Sequence, residues 1–331
     1  MTEPNYTKFV DQDDQAGQRR VGFFLVPQLA LMSFASALEA LRSANRLAGR
    51  PLYDWTLISV EGGPVTSSSQ VQVAPTVAID EHPELDELVV VAGIGGESFR
   101  DEKVFAWLRR LARKGCKIGA VTLGSYVLAR AGLLKGYRCT VHWENLDSFR
   151  EEFPDLDVTS EVFEIDRERA TCSGGTAALD MMLALIAEAH GRDLAVQVAE
   201  QFIHTRIRDS RDHQRMTLRS RLGVSHPKLL EAIRLMEENG EEVLPRAELA
   251  RKIGVSSRQL ERLFQRYLGC TPTRFYLGLR LERARSLLLQ TSMSAMEVAL
   301  ACGFVSASHF AKTYREHFGR TPKEDRGFSA S

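Results

Sequence analysis

The chain has 331 residues, which is long enough for two domains, and its 44% hydrophobic and 26% charged residues are typical of a soluble globular protein. The formal net charge is zero, but residues 246–331 carry 15 Lys and Arg against 7 Asp and Glu, whereas residues 1–245 carry 28 against 36. A basic C-terminal part beside an acidic body is typical of a nucleic-acid-binding module joined to a second domain.

The cysteine spacing, the apolar runs and the N-terminal residues argue against zinc-binding, membrane-spanning and secreted proteins. The five cysteines are odd in number, form no C-x-x-C pair and lack zinc-ligand spacing, so we expect reduced thiols and no metal. No cofactor is expected either. The longest apolar run, residues 21–34, is interrupted by Pro27 and Gln28 and is too short to span a bilayer. Residues 1–19 are polar and predict a flexible tail without a signal peptide, which favours a cytoplasmic protein.

Apolar runs alternate with amphipathic segments from residue 20 to residue 190. They predict strands over 21–26, 55–60, 88–92, 118–121, 138–141 and 158–163, with short edge strands near Val71, Val73 and Val77. They predict helices over 33–48, 101–114, 125–131, 144–153 and 176–189. This alternation indicates a doubly wound, flavodoxin-like α/β domain with a mostly parallel sheet, and we place that domain at residues 20–205.

The next segment differs in composition. A further helix is expected over 193–203, and the arginine-rich residues 206–226 are interpreted as an interdomain linker, with a basic arm lying along DNA as the alternative. Residues 227–331 predict an all-α domain, since nearly everything from Pro227 to Pro322 has helical periodicity.

A turn occurs twice in this all-α domain. Ile253-Gly254-Val255-Ser256 and Cys302-Gly303-Phe304-Val305-Ser306 each separate a short helix from a longer one, and the second turn has one additional residue. Helix, glycine turn and helix is the arrangement that places a short helix in the DNA major groove. We expect Ser256 and Ser306 to cap the second helix of each repeat.

The second helix of each repeat predicts one apolar face, with Leu260 and Phe264 in one and Phe310 and Tyr314 in the other. The opposite faces carry residue types that can bond to base edges or phosphates, although a solvated helix face is the alternative for any single one of them. These candidate DNA-binding residues are Arg258, Glu261, Arg262 and Gln265 in the first repeat, and Ala307, Ser308, Lys312 and Arg315 in the second.

Residues 227–326 resemble the DNA-binding domain of AraC-type transcription regulators. The resemblance is carried by the two turns and by the closing pattern of Val298-Ala299, Cys302-Gly303-Phe304, His309-Phe310, Phe318-Gly319 and Thr321-Pro322. It implies two recognition helices in adjacent major-groove segments on one face of the DNA.

Residues 20–190 resemble the class I glutamine amidotransferase-like superfamily that includes PfpI-type peptidases. The resemblance is carried by 89–96, 119–124, 131–136, 141–143 and 172–175. In enzymes of this superfamily a Cys nucleophile stands at the elbow between a strand and a helix, where this chain has Thr122. The matching His is His142, and the acidic partner of many relatives falls at Ser33, so the resemblance implies a frame without its reactive set and no enzyme activity.

A ligand site is expected at the carboxyl ends of the strands. Glycine-loop amides and a helix N-terminus there favour a small anion, and Trp143 offers an aromatic wall for a cationic group, with core packing of Trp143 and a merely hydrogen-bonded His142 as alternatives. The candidate ligand residues are Gly93, Ile94, Gly95, Thr122, Leu123, His142 and Trp143.

The domain order resembles AraC-type regulators with amidotransferase-like sensors, and residues 214–222, 225–229 and 235–239 are most similar to the branch that controls arginine, glycine betaine and carnitine use. This implies an activator of a catabolic operon that responds to an amino-acid-like or quaternary-amine effector, carnitine-type first. The expected partners are promoter DNA, RNA polymerase and a second copy of the chain, without a membrane. A PfpI-like amidase carrying a DNA-binding domain and a ligand-independent DNA-binding protein are the alternatives.

Overall fold

The computed structural model describes residues 17–214 and 218–328. The flexible tail expected over residues 1–19 therefore lies almost wholly outside the described residues. The chain divides into two compact units. The first unit contains the chain up to Leu133 and returns over Arg167–Arg208, and the second contains Leu134–Asp166 and the chain from Asp209 onward. The predicted domain boundaries at 205 and 227 stay a prediction.

The first unit alternates strands and helices. Up to Leu133 it contains β1 (Arg19–Leu25), α1 (Leu31–Ala48), β2 (Tyr53–Ser59), β3 (Val65–Thr66), β4 (Gln72–Val73), β5 (Val77–Ala78), β6 (Glu87–Ala92), α2 (Glu102–Arg113), β7 (Lys117–Thr122) and α3 (Gly124–Arg130). The chain then supplies β8 (Arg138–Cys139), α4 (Leu146–Glu152), β9 (Asp157–Val158) and β10 (Phe163–Asp166) to the second unit. It completes the first unit with β11 (Arg169–Cys172), α5 (Ala177–His190) and α6 (Arg192–Gln201).

Six strands of the first unit form a parallel sheet. They lie in the order β11-β7-β6-β1-β2-β5. The middle strands are apolar on both faces because helices cover the sheet, and Phe23, Phe24 and Leu25 of β1 are fully buried. The predicted doubly wound, flavodoxin-like architecture is confirmed by this sheet and by solved structures of similar fold.

One predicted strand is wrong. The strand expected over residues 158–163 is interrupted, because Val158 ends β9, Phe163 begins β10 and residues 159–162 lie between them. Strand β11 is not predicted from the sequence. The Thr140 hydroxyl shares its proton between the carbonyls of Thr159 and Glu161 at 3.2 and 3.0 Å, and Glu161 forms an isolated backbone bridge with His213, so these residues bond outside a continuous strand. Val71 also lies outside β4, which contains only Gln72 and Val73.

The C-terminal part of the second unit is helical. It contains α7 (Leu218–Leu222), α8 (Pro227–Glu238), α9 (Arg246–Lys252), α10 (Ser257–Leu268), α11 (Pro272–Gln290), α12 (Ala295–Ala301), α13 (Ala307–Phe318) and α14 (Pro322–Phe328). One core forms around Leu260 and Phe264, and a second around Phe310 and Tyr314. Helix α11 contributes Tyr276 to the first core and later residues to the second, and it thereby joins the two repeats.

Helix α4 and the residues before it pack against α11. Asp147 Oδ2 lies 3.2 Å from Arg283 Nε, and the Ser148 hydroxyl donates to Gln290 Oε1 at 2.6 Å. The Ser286 hydroxyl donates to the Glu144 carbonyl at 3.0 Å. One face of the helix that joins the two repeats is therefore held by residues 144–148.

Across residues 17–214 and 218–328, no helix combines the length and the apolarity needed to cross a membrane. Within that same part of the chain, no three His, Cys, Asp or Glu side chains are grouped so that they could hold a metal ion. All five cysteines are free thiols, and Cys270 alone among them is not buried.

Candidate functional site

The elbow after β7 has a strained backbone. Thr122 ends the strand with φ of 59°, and α3 begins two residues later. A β-branched residue in the left-handed region is an outlier that costs roughly 1–3 kcal/mol and persists only where its surroundings enforce it. The elbow predicted from the sequence is therefore present in the structure, with threonine at its apex.

Ser33 and the loop after β11 hold this threonine. The Ser33 and Thr122 hydroxyls are 2.9 Å apart, and the Gly175 N–H donates to Ser33 Oγ at 2.7 Å. A Cβ on Gly174, which has φ of 96°, would lie 2.2 Å from Thr122 Oγ1, so glycine is required there. Ser33 stands where many relatives have an acidic residue, and Thr122 stands where the enzymes have their Cys nucleophile. These two positions are thus in direct contact.

The loop after β6 borders the same elbow. Gly93 is bridged to Leu29, Ala92 of β6 pairs with Thr122 of β7, and Ile94 is 72% exposed. Leu123 is buried, so its side chain packs in the core and only its backbone could face a ligand. Helix α3 has only seven residues, so its dipole contributes little to anion binding. Five of the seven predicted ligand residues, Gly93 to Gly95 with Thr122 and Leu123, lie together at these strand ends.

His142 and Trp143 belong to the second unit. Burial lowers the pKa of His142, and the nearby Glu144 carboxylate acts in the opposite direction. His142 Nδ1 accepts the Glu144 N–H at 3.4 Å, and the carboxylate oxygen is 3.8 Å away, beyond hydrogen-bond distance. The two rings are 5.6 Å apart at their centroids and Trp143 is 36% exposed. Their assignment to the ligand site stays a prediction.

Cys172 also lies in the elbow region, and the sequence predicts no role for it. It ends β11, is fully buried and pairs in register with Val121. Burial raises the pKa of its thiol to about 12, although hydrogen bonds from the Gly174 and Thr122 backbone lower it. The thiol is therefore protonated at neutral pH and is a poor nucleophile.

A cavity of about 590 Å³ lies at the other end of the sheet. Its lining includes the ion pairs Arg19–Glu87 at 2.7 Å and Arg20–Asp86 at 2.9 Å, together with Lys114 and Lys117. It borders Gly17, the first described residue. Because ligands of open parallel sheets bind at the carboxyl ends of the strands, the elbow remains the stronger candidate.

The two repeats of the second unit have the predicted caps. The Ser256 side chain accepts from the Gln259 N–H, and the Gln259 side chain accepts from the Ser256 N–H, which completes a capping box on α10. The Ser306 side chain accepts from the His309 N–H on α13. These hydroxyls satisfy amides that the first turn leaves unpaired, so both predicted caps are confirmed.

The predicted DNA-facing side chains are mostly exposed, as a reading surface requires. The exposed residues are Arg258, Arg262, Gln265, Ser308, Lys312 and Arg315. Ala307 and Glu261 are partly buried, and the Glu261 carboxylate forms an ion pair with Arg246 of the preceding helix. Lys312 lies 4.0 Å from Glu316 on its own helix. The arrangement leaves cations on both α10 and α13 available to phosphates and bases.

Helix α11 fixes the spacing of the repeats. It has 19 residues, or about 28 Å at 1.5 Å per residue, comparable with the ~34 Å turn of B-DNA. The Tyr276 hydroxyl donates to the Asn239 carbonyl in the first repeat. Arg280 Nε donates to the Cys302 carbonyl at 2.7 Å, and its guanidinium lies 4.2 Å from the centroid of the Phe304 ring in the second repeat.

Comparison with known proteins agrees with this geometry. A DJ-1/PfpI family model matches residues 19–188, and a helix-turn-helix domain model matches residues 249–327. The chain is 50% identical over 306 residues to the HTH-type transcriptional regulator GbdR of Pseudomonas aeruginosa, covering 92% of this chain and 83% of GbdR. It is 49% identical over 304 residues to the regulator CdhR of the same species, and the match covers 92% of this chain and 90% of CdhR.

A solved structure extends the comparison to the fold. The crystal structure of an AraC family transcriptional regulator from Pseudomonas putida matches with a TM-score of 0.52 and 29% identity, over 56% of this chain and 99% of that one. The chain belongs to the AraC-type transcriptional regulators that carry a DJ-1/PfpI domain. This AraC-type regulator is thus a DNA-binding transcription factor, and its similarity to the regulators GbdR and CdhR covers most of the length of each.

The family boundaries and the compact units of this regulator do not coincide. The DJ-1/PfpI match runs through residues 134–166, which cluster with the helix-turn-helix repeats in the structure. The helix-turn-helix match begins within α9 and ends within α14, so it includes both glycine turns and α11. Part of the DJ-1/PfpI sequence thus contributes to the unit that reads DNA.

Proposed function

We propose that the regulator is an effector-responsive activator of a catabolic operon for an amino-acid-like or quaternary-amine compound, with a carnitine-type effector as the first candidate. The observation that carries the proposal is the strained Thr122 elbow, which Ser33 and the loop at Gly174 hold in place without a reactive thiol. A strained site that is kept without a nucleophile favours binding over catalysis.

The chemistry of the elbow supports a non-catalytic role. A threonine hydroxyl becomes a nucleophile only when a strong base takes its proton, and here its neighbour at 2.9 Å is the Ser33 hydroxyl, which is not a base. The Cys172 thiol, with a pKa near 12, does not replace it. Ser33 is buried, whereas the partly exposed Thr122 hydroxyl can offer a hydrogen bond that suits the carboxylate of a zwitterionic effector.

The remaining parts of the proposal follow from the family. Two cationic reading helices on one joining helix suit promoter DNA, and the family resemblance favours a homodimer in contact with RNA polymerase. An effector then changes transcription only if it binds more tightly to one of two arrangements of the regulator than to the other. We therefore propose DNA, RNA polymerase, a second copy of the chain and one small effector as partners.

A melting experiment on the full chain tests the effector. L-carnitine, glycine betaine and L-arginine are each titrated, and a true effector raises the melting temperature because binding at 100 times Kd adds about 2.7 kcal/mol to stability. Thr122→Ala should abolish the rise. Thr76→Ala is the matched control, since the Thr76 hydroxyl donates only to the Leu57 carbonyl, away from the elbow. A rise that survives Thr122→Ala would place the site elsewhere.

The amidase alternative rests on the retained elbow, and turnover distinguishes it from the sensor. Under the sensor proposal the purified chain releases no ammonia from amide substrates, with or without Thr122→Ala or Cys172→Ala. Steady turnover that either substitution removes would establish the enzyme instead. A ligand-independent regulator would bind its promoter DNA with the same affinity in the presence of L-carnitine, glycine betaine or L-arginine as in their absence.

A further inference from the structure

A buried carboxylate lies near the end of the first unit. Asp180 of α5 has no exposed surface, and four donors meet it. His204 Nε2 is 2.8 Å from Oδ1, and the Arg208 N–H donates to the same oxygen at 2.8 Å. Arg208 Nε donates to Oδ2 at 2.8 Å and Nη2 lies 2.7 Å from it. We call Thr176, Asp180, His204 and Arg208 the Asp180 cluster.

The cluster holds the last residues of the first unit. His204 and Arg208 follow α6, and Arg208 is the final residue before the chain enters the second unit. Between α6 and the cluster, Ile203 has φ of 55° and is 85% exposed, and the His204 N–H donates to the Ala199 carbonyl of α6 at 2.9 Å. The buried carboxylate attaches residues 204–208 to α5 through His204 and Arg208.

The same cluster reaches the elbow. Arg208 Nη2 also donates to Thr176 Oγ1 at 2.6 Å. Thr176 directly follows Gly175, whose N–H donates to Ser33 Oγ, and Ser33 in turn contacts Thr122. A continuous series of contacts thus runs from Thr122 through Ser33 and the loop at 174–176 to the guanidinium of Arg208.

We propose that this series couples the elbow to the exit segment: a displacement of the loop at 174–176 withdraws Thr176 from Arg208 and loosens residues 204–208 on Asp180. Arg208 is a positioning residue in this account, because it contacts the loop and the buried carboxylate rather than an effector. The inference rests on the proposed effector site, since an effector bound at Thr122 is what would displace the loop. It adds the route by which occupancy reaches the chain segment that leads to the DNA-binding repeats.

The coupling depends on charge as well as contact. A fully buried carboxylate is tolerated only while its donors remain in place, so Asp180 holds Arg208 docked. Moving Arg208 away would leave the carboxylate partly unpaired. Arg208 Nη2 contacts both Thr176 and Asp180, so a displacement at Thr176 weakens the charge pair as well as the contact.

Hydrogen exchange on the full-length protein tests the proposal without DNA or effector, so its failure is separate from a failure of the proposed function. The readout is the Arg208 amide, which Asp180 protects in the structure. Asp180→Asn should raise its exchange rate about tenfold or more, because a hydrogen bond to a charged acceptor is lost. Asp86→Asn is the matched control, as it breaks the Arg20 pair of the same unit, which is not part of the Asp180 cluster.

Two further variants test the connection to the elbow. Thr176→Val keeps the Asp180 carboxylate but removes the contact with Arg208, and it should raise exchange at Arg208 by a few fold. Gly174→Ala places a methyl group on Thr122 Oγ1 and should also raise it, whereas Gly132→Ala, with φ of 73° and open space around it, should not. Wild-type exchange at Arg208 in both Thr176→Val and Gly174→Ala overturns the proposal. If Gly174→Ala does not fold, Thr176→Val decides alone.

Discussion

The two helix-turn-helix repeats share one architecture but stabilise it differently. At positions 50 residues apart, the first repeat has Phe264 and Phe275, whose rings are 5.5 Å apart. The second has Tyr314 and Asp325, and the Tyr314 hydroxyl donates to the buried carboxylate at 2.7 Å. Arg285 Nε also donates to Asp325 at 3.1 Å. At these two equivalent positions, the first repeat therefore has aromatic packing and the second has a satisfied buried charge.

The turns differ as well. Both Gly254 and Gly303 have left-handed backbones, with φ of 68° and 70°. A Cβ on Gly254 would meet only the Lys228 amine at 4.0 Å, whereas one on Gly303 would lie 2.5 Å from the Glu241 carbonyl of the first repeat. The first turn is open to solvent, and the second is packed against its neighbour.

Gly303→Ala should produce the largest effect. Left-handed strain costs about 1–2 kcal/mol and overpacking against Glu241 about 1–3 more, so we expect a loss of about 2–5 kcal/mol in the free energy of unfolding. Gly254→Ala should lose only the first part. Urea denaturation followed by helical circular dichroism measures both, and equal losses would show that the second turn is not packed as described.

Asp325→Asn should cost about 2–3 kcal/mol. The substitution keeps the shape but removes the charge that Arg285 and Arg320 meet, and hydrogen bonds to charged groups contribute about 1.5–3 kcal/mol. Tyr314→Phe, which leaves both arginines paired, should cost about half as much. The comparison of the two cores fails if Tyr314→Phe proves the more damaging change in the same denaturation experiment.

Arg262→Ala tests base reading in the first repeat. If Arg262 bonds to a base edge, its loss should weaken binding to the preferred DNA site by about 1–3 kcal/mol and relax selection at one base position. Arg315→Ala is the corresponding change on α13. Fluorescence anisotropy against a set of single-base variants gives the result, and equal weakening on every sequence would indicate phosphate contact instead.

The caps should give the smallest difference. Ser306→Ala and Ser256→Ala should each cost about 1 kcal/mol, since each removes one side-chain acceptor from a helix N-terminus. Gln259→Ala should lower the free energy of unfolding by a few tenths of a kcal/mol, because the Gln259 side chain accepts from the N–H of its cap Ser256. His309→Ala should be neutral, because the His309 side chain makes no such bond to Ser306. Thermal melting resolves these steps, and a costly His309→Ala would contradict the assigned asymmetry.

Local signals made the helical repeats predictable. A serine before each reading helix and a glycine after it mark the ends of α10 and α13 within the chain itself, and the structure places both caps there. The parallel sheet was also predictable, because continuous apolar runs are typical of strands covered on both faces. These features depend on residues that are neighbours in sequence.

Features that depend on distant residues were not predictable in the same way. The split between β9 and β10 follows from the Thr140 hydroxyl, which takes carbonyls about 20 residues away. The buried Asp180 meets Arg208 28 residues later, and nothing in the local pattern distinguishes it from a solvated helix carboxylate. The Thr122 elbow was found only because a resemblance pointed to that position.

The contact of residues 144–148 with α11 has a practical consequence for anyone who shortens this chain. A fragment that begins at residue 227 loses Asp147 and Ser148, so Arg283 and Gln290 would face water on the very helix that sets the distance between the reading helices. Affinities and melting points from such a fragment would describe a joining helix with one side uncovered. Mutational effects on α11 should therefore be measured in the full-length protein.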